Sequence, residues 1–212
     1  MKEQIQFRPY QKKDFAALSK IIGDTWRHEK FCGSAKLAKK LSDTYLYFCL
    51  AGQTFSQVAL INQKPVGIIM GNVLQHRRPL KYKIAARWSA FCLSRKKEGK
   101  TAWKAFEEIS RIDQSLLKET GKNYQGELSF FAVSSEHRGK GIGKCLFHVF
   151  CEYMEQEKIE DFYVFTDTSC NYQFYESQGM KKQGERHKNF RTGIKKVSCT
   201  FFIYDRRKEM EE

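Results

Sequence analysis

The sequence predicts an α/β protein in which a mixed central sheet carries a helical insertion. Short β-rich runs bounded by turn residues recur along the chain, apolar positions spaced by three and four fall between them, and the stretch from 76 to 125 departs from the rest in charge and periodicity. With 212 residues, 41% hydrophobic and 29% charged, the chain can bury a core of its own, and disorder, collagen and coiled coil are excluded as descriptions of the whole. No internal repeat or low-complexity tract divides it, so a single domain over 1–212 is expected.

Residues 5–8 alternate apolar and polar side chains before Pro9, and Asp14 opens a run in which Phe15, Leu18, Ile21 and Ile22 follow helical spacing, giving a strand and then a helix. Residues 58–61 and 66–70 flank the polar turn Asn62-Gln63-Lys64-Pro65 and read as an antiparallel hairpin. Between 77 and 100, nine basic residues face the single acid Glu98, a net +8 out of +14 for the chain. Apolar residues there (Ile84, Trp88, Phe91 and Cys92, then Trp103, Phe106, Ile109, Ile112 and Leu116) predict two amphipathic helices joined by a basic loop at 94–100, their aromatic rings turned to the core. Residues 127–133, Glu-Leu-Ser-Phe-Phe-Ala-Val, form a strand that feeds the glycine-rich turn of 138–143. After Gly143 the positions Cys145, Leu146, Val149, Phe150, Tyr153 and Met154 trace one helical face. A strand at 162–166, a short helix near 171–177 that Gly179 caps, and a last strand at 197–204 complete the pattern.

The charge of +14 favours anionic partners without choosing among phosphates, nucleic acid and acidic surfaces. The opening Met1-Lys2-Glu3-Gln4-Ile5 lacks the apolar core of an export signal, and the uncharged stretch 44–63 is interrupted by Gly52, Gln53, Gln57 and Asn62, so neither export nor a membrane span is expected, and no membrane is expected as a partner. Seven cysteines without a C-x-x-C pair point to free thiols in a reducing cytoplasm, and five scattered histidines argue against a metal site.

A strand ending in Arg138-Gly139-Lys140-Gly141-Ile142-Gly143 and opening a helix presents backbone N–H groups at the positive end of a helix dipole, which makes an anion cradle. The alternative for the pattern alone is a mere tight turn, the less favoured reading, and it matches neither the P-loop nor the dinucleotide fingerprint. At these residues the sequence resembles the GNAT superfamily, the Gcn5-related N-acetyltransferases: 138–143 fits the [RQ]-x-x-G-x-[GA] acetyl-CoA signature, and Asn171-Tyr172-Gln173-Phe174-Tyr175 up to Gly179-Met180 resembles the family's second motif. The resemblance runs from Glu127 to Met180, extends less closely to the opening strand, helix and hairpin, and does not cover 76–125.

That resemblance, to bacterial-type small-molecule or protein acetyltransferases, implies a sheet splayed between two parallel strands, acetyl-CoA as cosubstrate with no metal, and acetyl transfer to a primary amine in a ternary complex. The pantetheine arm would meet Phe131, Ala132 and Val133, with an oxyanion donor among the N–H groups near Val133. The phosphates would meet Arg138, Gly139, Lys140, Gly141, Ile142, Gly143 and Lys144. Asn171 lies four residues before Tyr175, closer than in many members, which sets its cofactor role apart from theirs. Tyr175 stands where the family keeps its general acid, the alternative being a packing ring beside Tyr172 and Phe174. Glu127 lies six residues before Val133, where a base glutamate of the histone-acetylating branch stands; a solvated carboxylate at a strand start is the other reading. Two alternative functions stay open, a basic nucleic-acid-binding module and a CoA-sensing protein without turnover. Helical spacing of the aromatics and the lack of any RNP, KH or zinc pattern argue against nucleic acid. The insertion is expected to fold as a flap beside the acceptor side of the cleft, its basic residues disfavouring a polycationic acceptor, and homodimerisation is left open.

Overall fold

The computed structural model describes residues 4–207 apart from 33, 96, 193 and 194, so Met1, Lys2, Glu3 and Lys96, which entered the readings above, lie outside the described residues. Seven strands, β1 (Ile5–Arg8), β2 (Phe55–Ile61), β3 (Lys64–Val73), β4 (Gly126–Val133), β5 (Asp161–Asp167), β6 (Lys181–Thr192) and β7 (Lys195–Arg207), form one sheet in the order β1-β2-β3-β4-β5-β7-β6. Every pairing is antiparallel except that of β4 with β5. The helices are α1 (Phe15–Thr25), α2 (His28–Cys32), α3 (Ala35–Ala51), α4 (Leu80–Ser94), α5 (Lys97–Glu119), α6 (Ile142–Gln156) and α7 (Gln173–Ser177).

Strand alternation sends side chains to two faces, and each face finds a helical cover. On one, Leu146, Phe150 and Met154 of α6 pack on Ala59, Ile69, Leu128, Phe162, Val164 and Tyr204. On the other, Leu18 and Ile22 of α1 with Leu46 and Leu50 of α3 cover Val58, Leu60, Ile68, Met70, Phe130 and Ala132. Further along that second face, Ile109, Ile112 and Leu116 of α5 cover Tyr163, Phe201 and Ile203. A buried polar knot ties α5's exit to the sheet: Asp205 accepts from Lys122 Nζ at 2.7 Å, Tyr124 Oη at 3.0 Å and Gln183 Nε2 at 2.8 Å.

The strands, the hairpin and the helices expected on either side of the glycine-rich turn are all present, and three elements are added, the short α2 among them. The helix α3 begins at an N-cap, Ser34 Oγ accepting from Leu37 N–H, and its apolar stripe is diluted by Ser42, Thr44 and four lysines or acids, which hid it. The edge strand β6 is polar along most of its length and is specified by its pairing with β7 rather than by a hydrophobic face. The expected basic loop at 94–100 is shorter: α5 already starts at Lys97, and Gly99 packs so closely on the Leu93 carbonyl that a Cβ there would collide with it.

The insertion also corrects the direction of its own aromatics. The α5 stripe packs inward as expected, Trp103 and Phe106 meeting Leu37, Leu41 and Leu93. On α4 the buried face is instead Ala86 and Leu93 with half-buried Tyr82 and Ser89, Ser89 Oγ lying 2.7 Å from Thr44 Oγ1 of α3, while Ile84, Trp88 and Phe91 face solvent. Small and polar residues on the packed face let α4 approach α3, and periodicity alone favoured the larger stripe.

The sheet bends where β4 takes an extra residue. Met70 pairs with Phe130 and Gly71 with Leu128, so Ser129 is bulged out, its Oγ donating to the Met70 carbonyl at 3.2 Å. A Cβ on Gly71 would lie 2.5 Å from Cε2 of the fully buried Phe150 ring. Gly71→Ala is therefore expected to destabilise the fold by about 1–3 kcal/mol through overpacking, read as a lowered urea midpoint at unchanged m.

Candidate active site

Among the described residues the only parallel pair of strands is also the shortest junction of the sheet. β4 and β5 are in register at Gly126 with Phe162 and at Glu127 with Tyr163, and beyond those two pairs they part, β4 running to Val133 and β5 to Asp167. Gly126 sits at the apex because a Cβ there would crowd Ile159, Met154 and Phe162, at 2.9 to 3.1 Å. Past the apex, no strand among the described residues pairs with the β5-facing edge of β4, which leaves peptide groups available to a ligand.

The Ser129 bulge decides which side of the sheet each residue serves. Before it, Leu128 faces α6, which puts Glu127 on the α5 face; after it, Phe130 and Ala132 face α1 and α3, which turns Phe131 and Val133 toward α6. Ala132 thus offers a ligand its backbone, its methyl group being buried on the opposite face. Phe131 lies with its ring centroid 5.5 Å from that of Phe174, and a Cβ on Gly143 would meet its Cζ at 3.4 Å. The structure accordingly brings 131–133, the turn and α7 together on one side of the sheet.

The turn takes left-handed backbone at Gly139, φ 76°, and at Gly141, φ 79°, where a Cβ would be strained although space is open around it. Gly141 is the N-cap of α6, and the first helical bond runs from Cys145 N–H to its carbonyl at 3.1 Å, so the N–H groups of Ile142, Gly143 and Lys144 precede the hydrogen-bonded ladder. Ile142 buries its side chain and Lys144 is exposed. Arg138 donates from Nε to the Val133 carbonyl at 3.2 Å, which fixes the turn to the end of β4. These groups suit a phosphorylated ligand: open N–H donors, a helix N-terminus and basic side chains at the rim.

The short helix α7 ends in a Schellman turn, with Gly179 at φ 79° donating to Glu176 and Met180 N–H donating to the Tyr175 carbonyl, both at 3.0 Å. That turn locks Tyr175 in place. Its ring is buried against Phe174 and Tyr204, and burial raises its phenol above the ordinary value, the nearby Cys170 thiol and Asp167 carboxylate adding to the effect. The proton is therefore held throughout the neutral range. Asn171 is exposed and contributes its carbonyl to Phe174 N–H at 3.2 Å, a role in the start of α7.

Glu127 occupies the throat between Asn72 of β3 and Tyr163 of β5. Burial raises its pKa, opposed by the Asn72 amide, 3.4 Å from Oε2, and by the charge of Arg78. The fully buried Asn72 amide makes these contacts as alternatives: with its nitrogen toward Glu127 it donates to the carboxylate, and turned over its oxygen accepts from Arg78 Nη2 at 2.8 Å instead. A residue that sequence reasoning missed couples to this one: Asp113 of α5, whose carboxyl is pushed up to about 7 by burial and then by the charges of Asp167 and Glu127. Helical spacing gave no signal for it, because its neighbourhood with Glu127 is made by packing between elements distant in sequence. All eight described basic residues between 77 and 100 are exposed, and Arg78 is the one among them that lowers the Glu127 pKa.

The model of the acetyltransferase (GNAT) family matches residues 17–180. No individual curated protein matches the chain in sequence. Among solved structures, an N-acetyltransferase from Staphylococcus aureus Mu50 aligns with a TM-score of 0.55 at 13% identity over 96% of this chain and 98% of that one. The ribosomal-protein-alanine N-acetyltransferase of Brucella melitensis gives 0.53 at 15% over 93% and 98%. The yncA protein of Salmonella typhimurium, solved with acetyl-CoA, gives 0.54 at 13% over 98% and 96%. At such identities the solved structures speak for the fold, whereas the family model spans most of the chain, from α1 through the hairpin, the splayed strands and the glycine turn to Met180, and by it the chain belongs to the GNAT family of acetyltransferases.

Proposed function

We propose that the protein moves the acetyl group of acetyl-CoA to a primary amine by direct attack within a ternary complex, as one domain over 1–212. The observation that carries this is the splay of β4 from β5 after two paired residues, with the left-handed glycine turn and the start of α6 on the side reached by Phe131 and Val133. In this reading the N–H groups of 139–144 hold the pyrophosphate, Arg138, Lys140 and Lys144 border it, and the open edge of β4 at 131–133 pairs with the pantetheine amides. Asn171 is set beside this site by position, its observed bond serving α7.

The amine nitrogen must lose a proton before it attacks the thioester carbonyl. Glu127, raised by burial, takes that proton directly or through water; the C–N bond forms as the C–S bond breaks; and Tyr175, protonated at neutral pH, supplies the proton to the departing thiolate. The expectation of a non-polycationic acceptor rested on the nine basic residues between 77 and 100, of which the eight described are exposed and Arg78 acts on Glu127, while Asp113 and Asp167 add carboxylates whose charges couple at the same place. An acceptor arriving as an ammonium therefore suits the cleft. Seven free cysteines agree with a reducing cytoplasm as its compartment.

Three outcomes test the assignment. Gly141→Glu puts bulk, a side chain in left-handed backbone and a like charge at the cradle, so CoA affinity is expected to fall by at least about tenfold in a folded variant, measured by calorimetry. Tyr175→Phe should retain CoA binding and lower kcat by about 10 to 10⁴ in a thiol-release assay with an amine panel; wild-type turnover would leave the ring as packing only. Glu127 works as a base only when deprotonated, so kcat/KM is expected to rise with pH through a midpoint above the ordinary glutamate value of 4.5, and Glu127→Gln is expected to flatten that acid limb. Acetyl-CoA binding without turnover on any amine would favour the sensing alternative.

A further inference from the structure

The helix α4 has two distinct faces, and the fold uses one. Its inner face meets α3 through Ala86, Ser89 and Leu93, and Lys40 Nζ donates across to the Cys92 carbonyl at 3.0 Å. At about 100° per residue, Leu80, Ile84, Trp88 and Phe91 line up on nearly the opposite side. They are 68%, 63%, 67% and 56% exposed, and only Phe48 elsewhere among the described residues is a comparably exposed large apolar side chain. The rings of Trp88 and Phe91 stand 5.8 Å apart, touching each other rather than the core.

Charge frames this stripe. Lys83 and Arg87 run along one side and Lys81 along the other, Arg77 and Arg78 precede the helix, and Arg95, Lys97 and Lys100 follow it. No acid occurs in α4, and the first turn carries none at the positive end of the helix dipole, where Arg77, Arg78 and Lys81 instead crowd together. In water this arrangement is unfavourable twice over, exposing aromatic surface and gathering cations where an anion belongs. An anionic bilayer surface reverses both effects, taking the apolar stripe among its headgroups and upper chains while the long basic side chains reach the lipid phosphates.

We infer that α4 is a membrane-docking helix that lies flat on an anionic lipid surface, with Leu80, Ile84, Trp88 and Phe91 inserted and the flanking lysines and arginines on the headgroups. No helix of the described residues is long and apolar enough to cross a membrane, and surface docking requires none. A second copy of the chain fits less well, since a two-fold contact through the stripe would set basic flank against basic flank with no acid on α4 to pair them. Nucleic acid fits less well too: Leu80 and Ile84 supply half of the stripe and give neither stacking nor hydrogen bonds.

The test is cosedimentation of the full chain with vesicles of phosphatidylcholine alone or mixed with phosphatidylglycerol, at low and high salt. Binding is expected only with phosphatidylglycerol, with Trp88 emission shifting to the blue, this signal being assigned by loss in Trp88→Phe. Trp88→Glu with Phe91→Glu, and separately Lys81→Gln with Lys83→Gln and Arg87→Gln, are each expected to weaken binding by at least about tenfold while acetyl-CoA still raises Tm as in wild type. All five positions are exposed, so both variants should fold, and turnover on a soluble amine is expected to be unchanged in each. Vesicle binding that ignores the Trp88 and Phe91 changes would overturn the proposal by reducing it to simple charge attraction. So would retention on single-stranded RNA, or a stripe-dependent dimer in sedimentation equilibrium, with no vesicle binding in either case.

Discussion

Much of the site hangs on one extra residue in β4. With regular alternation, Glu127, Phe131 and Val133 would all face the same side of the sheet; the bulge at Ser129 puts the first on the α5 face and the other two on the α6 face. Strand β4 thereby serves two compartments, a carboxylate on the side where an acceptor can enter and a ligand-pairing edge on the side of the glycine turn. The bulge is held by the Ser129 bond to Met70 and by the absence of a side chain on Gly71, which lets Phe150 of α6 press onto the sheet at the bend. The same helix α6 that fills this gap begins at the Gly141 cap, so the bend of the sheet and the position of the anion cradle are set by one rigid body.

The apex at Gly126 complements this. Two paired residues suffice to join β4 to β5, because each strand has a second neighbour, β3 on one side and β7 on the other, over most of its length. The cleft is therefore an interruption of pairing within a sheet that is otherwise continuous, and its walls inherit the stability of two antiparallel ladders. Throat groups sit in a poorly solvated place by construction, and the raised pKa of Glu127 and of Asp113 follows from that location before any charge partner is considered.

What was legible in the sequence was local chemistry: glycines that demand left-handed backbone at 139, 141 and 179, the hairpin around 62–65, the β-rich run that ends in the turn. What was not legible depends on contacts far apart in sequence. β6 is drawn into the sheet by β7 although its own residues are polar, Asp113 reaches the throat because α5 crosses the sheet, and the bulge at Ser129 leaves no mark in a run that reads as plain alternation. The two-sidedness of α4 misled for a related reason. Helical periodicity reports where apolar residues gather on a helix and is silent on which stripe the protein covers, and here the covered one is built from alanine, serine, one tyrosine and a single leucine.

The two helices of the insertion accordingly divide its properties. α5 is clasped to the sheet along its C-terminal half: Glu108 pairs with Lys188 at 2.6 Å, Glu119 takes two bonds from Arg186 at 2.6 and 2.8 Å, and the segment just after the helix is pinned by Lys122 on buried Asp205. The two solvent-screened pairs, Glu108–Lys188 and Glu119–Arg186, contribute little singly, so the apolar row of Ile109, Ile112 and Leu116 supplies most of the anchoring while the ion pairs fix its register. A wall so fixed holds Asp113, whose carboxyl feels the Glu127 charge, at a constant place on α5. α4 has no contact of that kind with the sheet's catalytic half; it rests on α3 and turns its charge and its rings outward. Arg78 apart, the positive charge of the insertion thus belongs to the outer surface, and net charge alone does not report what the cleft presents to an acceptor.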